Sequence, residues 1–163
     1  MKRLAYIVVL LLFPCAALAF MGDPPPSPQP AYRGDYQADL SVESALTAAP
    51  ESGMAWLVKD ISVLADYGAQ FPSPLRFEAV DEGYVVGEAV YESLDALRGA
   101  ESVLPMQDDC KVTIHLFDRP RHIGGQDSFV QAYFENTSTA TGGKVLVFIH
   151  YDAYPDPLGG YSL

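Results

Sequence analysis

MAWLVKDISVLADY, residues 54–67, is the stretch on which the fold turns. Met54, Leu57, Val58, Ile61, Leu64 and Ala65 recur at helical spacing, and Trp56, Val63 and Tyr67 form an adjacent stripe. Its polar positions are confined to Lys59, Asp60, Ser62 and Asp66. The spacing therefore predicts a helix over 53–67, largely covered by a sheet and ended by Gly68 and Pro72. The Trp and Met stripe reads as core packing, because large apolar side chains at regular spacing fill interiors far more often than they hold ligands.

Toward the C-terminus, Leu75-Arg76-Phe77-Glu78 alternates as a half-buried strand. The turn Asp81-Glu82-Gly83 then leads to Tyr84-Val85-Val86, which suggests a hairpin. Past Gly87 the period changes: Val90, Leu94 and Leu97 predict a second helix over 88–98, with Glu88 and Glu92 near its start, Arg98 near its end and Gly99 as its stop. Three β-rich runs follow, 111–118 (KVTIHLFD), 129–135 (FVQAYFE) and 144–151 (KVLVFIHY). Turn-forming loops separate them, so they read as an antiparallel meander. The last run is apolar on both faces except at His150, which places it centrally with helices on one side.

On the N-terminal side, Ser41 caps an expected short helix through Val42, Ala45, Leu46 and Ala49, ended by Pro50. The stretch 31–40 (AYRGDYQADL) is expected to lie along the body without regular structure, and its Arg33-Gly34-Asp35 tripeptide carries no weight without a displayed loop. The expected fold class is α+β: an antiparallel sheet of about four to five strands packed against two main helices.

The first nineteen residues, MKRLAYIVVLLLFPCAALA, set the address. Lys2 and Arg3 precede an apolar run ending in Ala17-Leu18-Ala19, the pattern of a cleaved secretory signal. Pro14 and the Ala-x-Ala step favour cleavage over an uncleaved anchor, and Phe13-Pro14 before Cys15 disfavours lipidation. The expectation is export to the periplasm or medium, with no stable membrane insertion after processing. Residues 20–40 read as a proline-rich spacer built around 23–30 (DPPPSPQP), 41–154 as one domain and 155–163 as a tail.

The leader takes two of the ten basic residues and none of the 21 acidic ones, leaving 8 Lys+Arg against 21 Asp+Glu, a formal charge of −13. Such a surface repels nucleic acid and anionic membranes and favours basic partners or cations. Of the two cysteines only Cys110 survives processing, so no disulfide forms within the chain. Asp108 and Asp109 beside it oppose a reactive thiolate, and a buried Cys110 is expected. Asn136-Thr137-Ser138 matches the glycosylation sequon, a match short enough to arise by chance.

Two groups of residues carry chemistry. His115, His122 and His150, with Asp118, Asp127 and Asp152 nearby, are candidate ligands of a divalent metal, although no HExxH or CxxC spacing supports them and His115 and His150 fall two strands apart. The loop 119–127 (RPRHIGGQD) places Arg119, Arg121 and His122 beside Gly124 and Gly125, a candidate anion-binding loop unless its arginines pair with local acids. No nucleophile elbow, P-loop or cofactor motif is present. The sequence thus points to an exported, non-enzymatic binding module without a cofactor. Its expected partner is a basic protein, recognised in the manner of an acidic inhibitor or immunity protein. The alternative is a small metal- or anion-binding envelope enzyme using His115, His122 and His150.

Overall fold

Residues 54–66 form an extended strand, not a helix. A computed structural model describes residues 29–100, 102–105 and 109–156; the leader, most of the proline-rich segment and residues 157–163 lie outside it. The described elements are β1 (Tyr32–Asp39), β2 (Ala45–Ala48), β3 (Met54–Asp66), β4 (Leu75–Asp81), β5 (Tyr84–Tyr91), α1 (Leu94–Ala100), β6 (Ser102–Pro105), β7 (Asp109–Ile114), β8 (Arg121–Gly124), β9 (Phe129–Phe134) and β10 (Val145–Pro155). They make two antiparallel sheets, one in the order β1-β10-β3-β7-β6 with β8 as a second partner of β3, the other β2-β9-β4-β5.

A β-bulge explains why β3 imitates a helix. His150 pairs with Asp60 but Tyr151 pairs with Val58, so Lys59 is an extra residue in β3. Trp56 and Val58 are buried before the bulge, and Ile61, Val63 and Ala65 after it, each at most 1% exposed. The inward parity therefore switches from even to odd at Lys59, and a helical template absorbs that irregular spacing. Half-buried Leu57 and Leu64 add apolar positions between the inward ones. Val58, Ile61 and Val63 are β-branched and suit the pleated surface.

The expected α+β sheet backed by two main helices is thus replaced by a β-sandwich with one short described helix. Leu75, Phe77 and Ala79 of β4, Val130, Ala132 and Phe134 of β9, and Leu46 and Ala48 of β2 share one core with Ile61, Val63, Val112, Ile114, Val145, Val147 and Ile149. Each large side chain fully buried there contributes roughly 1.5–3 kcal/mol. The second sheet, rather than helices, covers β3.

Three further expectations are corrected. The helix over 88–98 divides: β5 continues to Tyr91 with Ala89 and Tyr91 packed on the core, and α1 starts only after Ser93, whose Oγ accepts the Ala96 amide at 3.2 Å. Leu94 and Leu97 hold α1 to the core. The helix after Ser41 is absent because Ser41 donates both its amide and hydroxyl to Asp39 Oδ1, at 3.0 and 2.6 Å, closing a turn that delivers the chain to β2. This hydroxyl contact holds the Asp39 carboxyl below its usual range. The meander is broken because β9 joins the second sheet, while β7 and β10 lie on either side of β3.

Other expectations hold. β4 and β5 form the hairpin, turning through Glu82 and Gly83 at φ 50° and 82°, the left-handed pair that suits a two-residue hairpin turn. β10 is flanked by β1 and β3, inside its sheet. One more expectation fails: β1, paired with β10, arises from the stretch expected to lack regular structure. Tyr36 of β1, Trp56 and Tyr151 stack in series, with Trp56 and Tyr151 centroids 4.0 Å apart. Burial pushes the Tyr151 hydroxyl up to about 12.

Candidate functional site

The site begins at the same bulge. β7 pairs with β3 from Asp66 back to Ile61, ending Ile61↔Ile114, and β8 resumes at Val58↔Arg121. β7 and β8 are therefore one interrupted strand, and residues 115–120 leave the sheet opposite Lys59 and Asp60. Bulge and excursion coincide, opening a groove of about 630 Å³ lined by Lys59, Asp60, His115, Leu116, Phe117, Asp118 and Pro120.

The excursion is pinned across the sandwich. A side chain at Gly87 of β5 would meet the Phe117 ring at 2.6 Å and the Leu116 carbonyl oxygen at 2.9 Å, so glycine is what allows the loop to seat against the edge of the second sheet. Phe117 and Leu116 also pack against the core. The groove is therefore a fixed feature of the fold.

Charge within the groove is uneven. Lys59 Nζ lies 2.7 Å from Oδ1 of the buried Asp152, which Arg33 Nε also approaches at 3.4 Å. The lysine is thereby drawn toward Asp152, which it shares with Arg33, while Asp60 and the exposed Asp118 place their carboxylates at the groove. Asp60 Oδ1 is 3.9 Å from His150 Nε2, and Ser62 Oγ is 3.2 Å from the same nitrogen. A hydrolytic relay needs its acid and its nucleophile on opposite ring nitrogens and a nucleophile open to substrate. Here both contacts share Nε2 and Ser62 is only 4% exposed, so the trio is an ordinary polar cluster.

The three histidines fall in separate places. His115 is exposed at the groove, His150 sits on the far side of β3, and His122 on β8 meets Tyr154 edge-on at 5.2 Å. Among the described residues, no three His, Cys, Asp or Glu side chains gather in a form able to hold a metal. In the 119–127 loop, Arg121 lies 3.8 Å from Asp81 and the Gly124 amide donates to Asp81 Oδ1 at 3.1 Å. Ser128 Oγ donates to the Gly124 carbonyl at 2.6 Å and accepts the Glu82 amide at 2.9 Å. A carboxylate of the chain itself, that of Asp81, thus takes up the Gly124 amide. Gly125 turns the loop at φ 83°, and Arg119 is exposed on it. Cys110 is buried, with Arg98 Nε donating to its sulfur at 3.4 Å.

Local acids also absorb much of the positive charge elsewhere. Arg76 reaches Glu88 and, at 2.6 Å, Glu135, whose hydrogen bond is the main cause of its raised pKa; Arg98 meets Asp95 at 3.2 Å. Sequence reasoning named His115 but missed Lys59, Asp60 and Phe117. The first two were read as the polar strip of a helix, and the available signal was the change of inward parity between Val58 and Ile61.

Comparison with family models, with curated proteins and with solved structures finds no match to this chain.

Proposed function

We propose that this chain, exported and freed of residues 1–19, is a non-enzymatic binding module that engages a basic protein partner, in the manner of an acidic inhibitor or immunity protein. The observation that supports this reading is the disposition of charge. Arg33, Lys59, Arg76, Arg98 and Arg121, five of the eight basic residues outside the leader, each lie within 4 Å of a carboxylate. Carboxylates of the chain offset much of their charge, so the outward potential comes from the excess Asp and Glu. Such a potential accelerates encounter with a cationic surface and weakens as salt rises.

The test presents immobilised residues 20–163 with envelope extract at low and high salt. Retained proteins are expected to have basic isoelectric points and to be released at high salt. Enrichment of no protein, or retention of acidic proteins regardless of salt, would overturn the proposal.

A further inference from the structure

Resting on that reading, we infer that the groove at the β3 bulge receives an arginine side chain from the basic partner. The groove is made by two coincident irregularities, the extra Lys59 in β3 and the 115–120 excursion between β7 and β8. Its walls combine the apolar surfaces of Leu116, Phe117 and Pro120 with the carboxylates of Asp60 and Asp118. An arginine matches both halves: its methylene stem covers apolar surface while its planar guanidinium meets carboxylates and tolerates partial desolvation better than an ammonium. Phe117 adds an aromatic ring, which attracts a cation toward its face.

Charge complementarity commits the groove to this occupant. Lys59, the cation in its lining, is held at 2.7 Å by Asp152, and the chain beyond the leader carries 21 acidic residues against 8 basic ones. An anionic segment would confront Asp60 and Asp118. A wholly apolar segment would bury the Asp118 carboxylate, and that of Asp60 with only His150 at 3.9 Å beside it, which costs more than the apolar contact returns.

The experiment titrates residues 20–163 with a tetra-arginine peptide by calorimetry at low salt. It compares the D60N/D118N variant with E43Q/E92Q, which removes the same charge at exposed positions away from the groove. The groove variant is expected to lose affinity by about tenfold and the control by about threefold at most. Equal loss in the two variants, or no binding of the peptide by the unaltered chain, overturns the inference. Asp118 is exposed, so D118N alone supplies a groove variant whose fold is not at stake; it is expected to weaken peptide binding more than E43Q alone, and an equal effect overturns the inference. If D60N/D118N retains basic envelope proteins as well as the unaltered chain does, only the groove assignment fails. If the unaltered chain retains none, the binding-module reading fails.

Discussion

Deleting Lys59 separates a bulged β3 from a regular one. The deletion removes the bulge without a register shift: Val58 then follows Asp60 directly and keeps Tyr151 as its partner, so Trp56 and Val58 stay inward with Ile61, Val63 and Ala65 in one regular alternation. In a β3 without a bulge the same deletion would shift residues 54–58 by one position and exchange Trp56, fully buried and stacked on Tyr151, for Ala55, a large-to-small core change of about 3–5 kcal/mol. Against a typical stability of about 5–15 kcal/mol this is a large fraction, equivalent to a fall of about 10 °C in Tm. Trp56 is the only tryptophan in the chain, so its fluorescence reports the event directly. The deletion is expected to leave its emission unshifted, with Tm lowered only by the loss of the Lys59 contact with Asp152. Lys59→Ala keeps the bulge and loses only the contact with Asp152. Solvent screening at the partly exposed lysine, and the remaining Arg33, limit that loss to about 1 kcal/mol with no red shift. A deletion variant with red-shifted emission and a Tm lowered by about 10 °C would refute the bulge as the origin of the parity switch.

Two other perturbations probe separate parts of the fold. Gly87→Ala drives a methyl group into the Phe117 ring and is expected to cost about 1–3 kcal/mol and to weaken tetra-arginine binding by displacing the 115–120 loop; unchanged chemical denaturation and affinity would show that the loop is not seated there. Asp39 titrates below its ordinary value because Ser41 hydrogen-bonds its carboxylate, so the stability it adds is complete above the unfolded carboxylate pKa and is lost as pH falls through the lower folded value. Ser41→Ala is expected to lower the urea midpoint at neutral pH and to narrow its gap from the unaltered chain in acid; a gap independent of pH would exclude this linkage.

Legibility in the sequence followed the strength of local signals. The β4–β5 hairpin was readable because Glu82-Gly83 supplies turn chemistry between two alternating runs, and the interior place of β10 because Val145, Val147 and Ile149 alternate with Leu146 and Phe148. β3 was not, since a bulge and an apolar second face remove the two-residue period that marks a strand. Once β3 became a helix, its partners had no sheet to flank, and β7, β9 and β10 were joined in the simplest meander. β1 was hidden by polarity: it is an edge strand whose Arg33, Asp35 and Gln37 are exposed, and Gly34 makes room for the Tyr151 ring. The candidate site inherits this pattern. His115 and the acids of the loop stand out by residue type, whereas Lys59 and Asp60 become groove residues only when β7 and β8 are seen as one strand interrupted opposite them.

Backbone NMR of residues 20–163 tests the strand assignment of 54–66 most directly. Carbon secondary shifts should be those of extended backbone on both sides of an irregular Lys59, with cross-strand contacts from Ile61 to Ile114 and Ile149. Helical shifts with contacts three and four residues apart through 53–67 would contradict the sandwich and remove the groove with it.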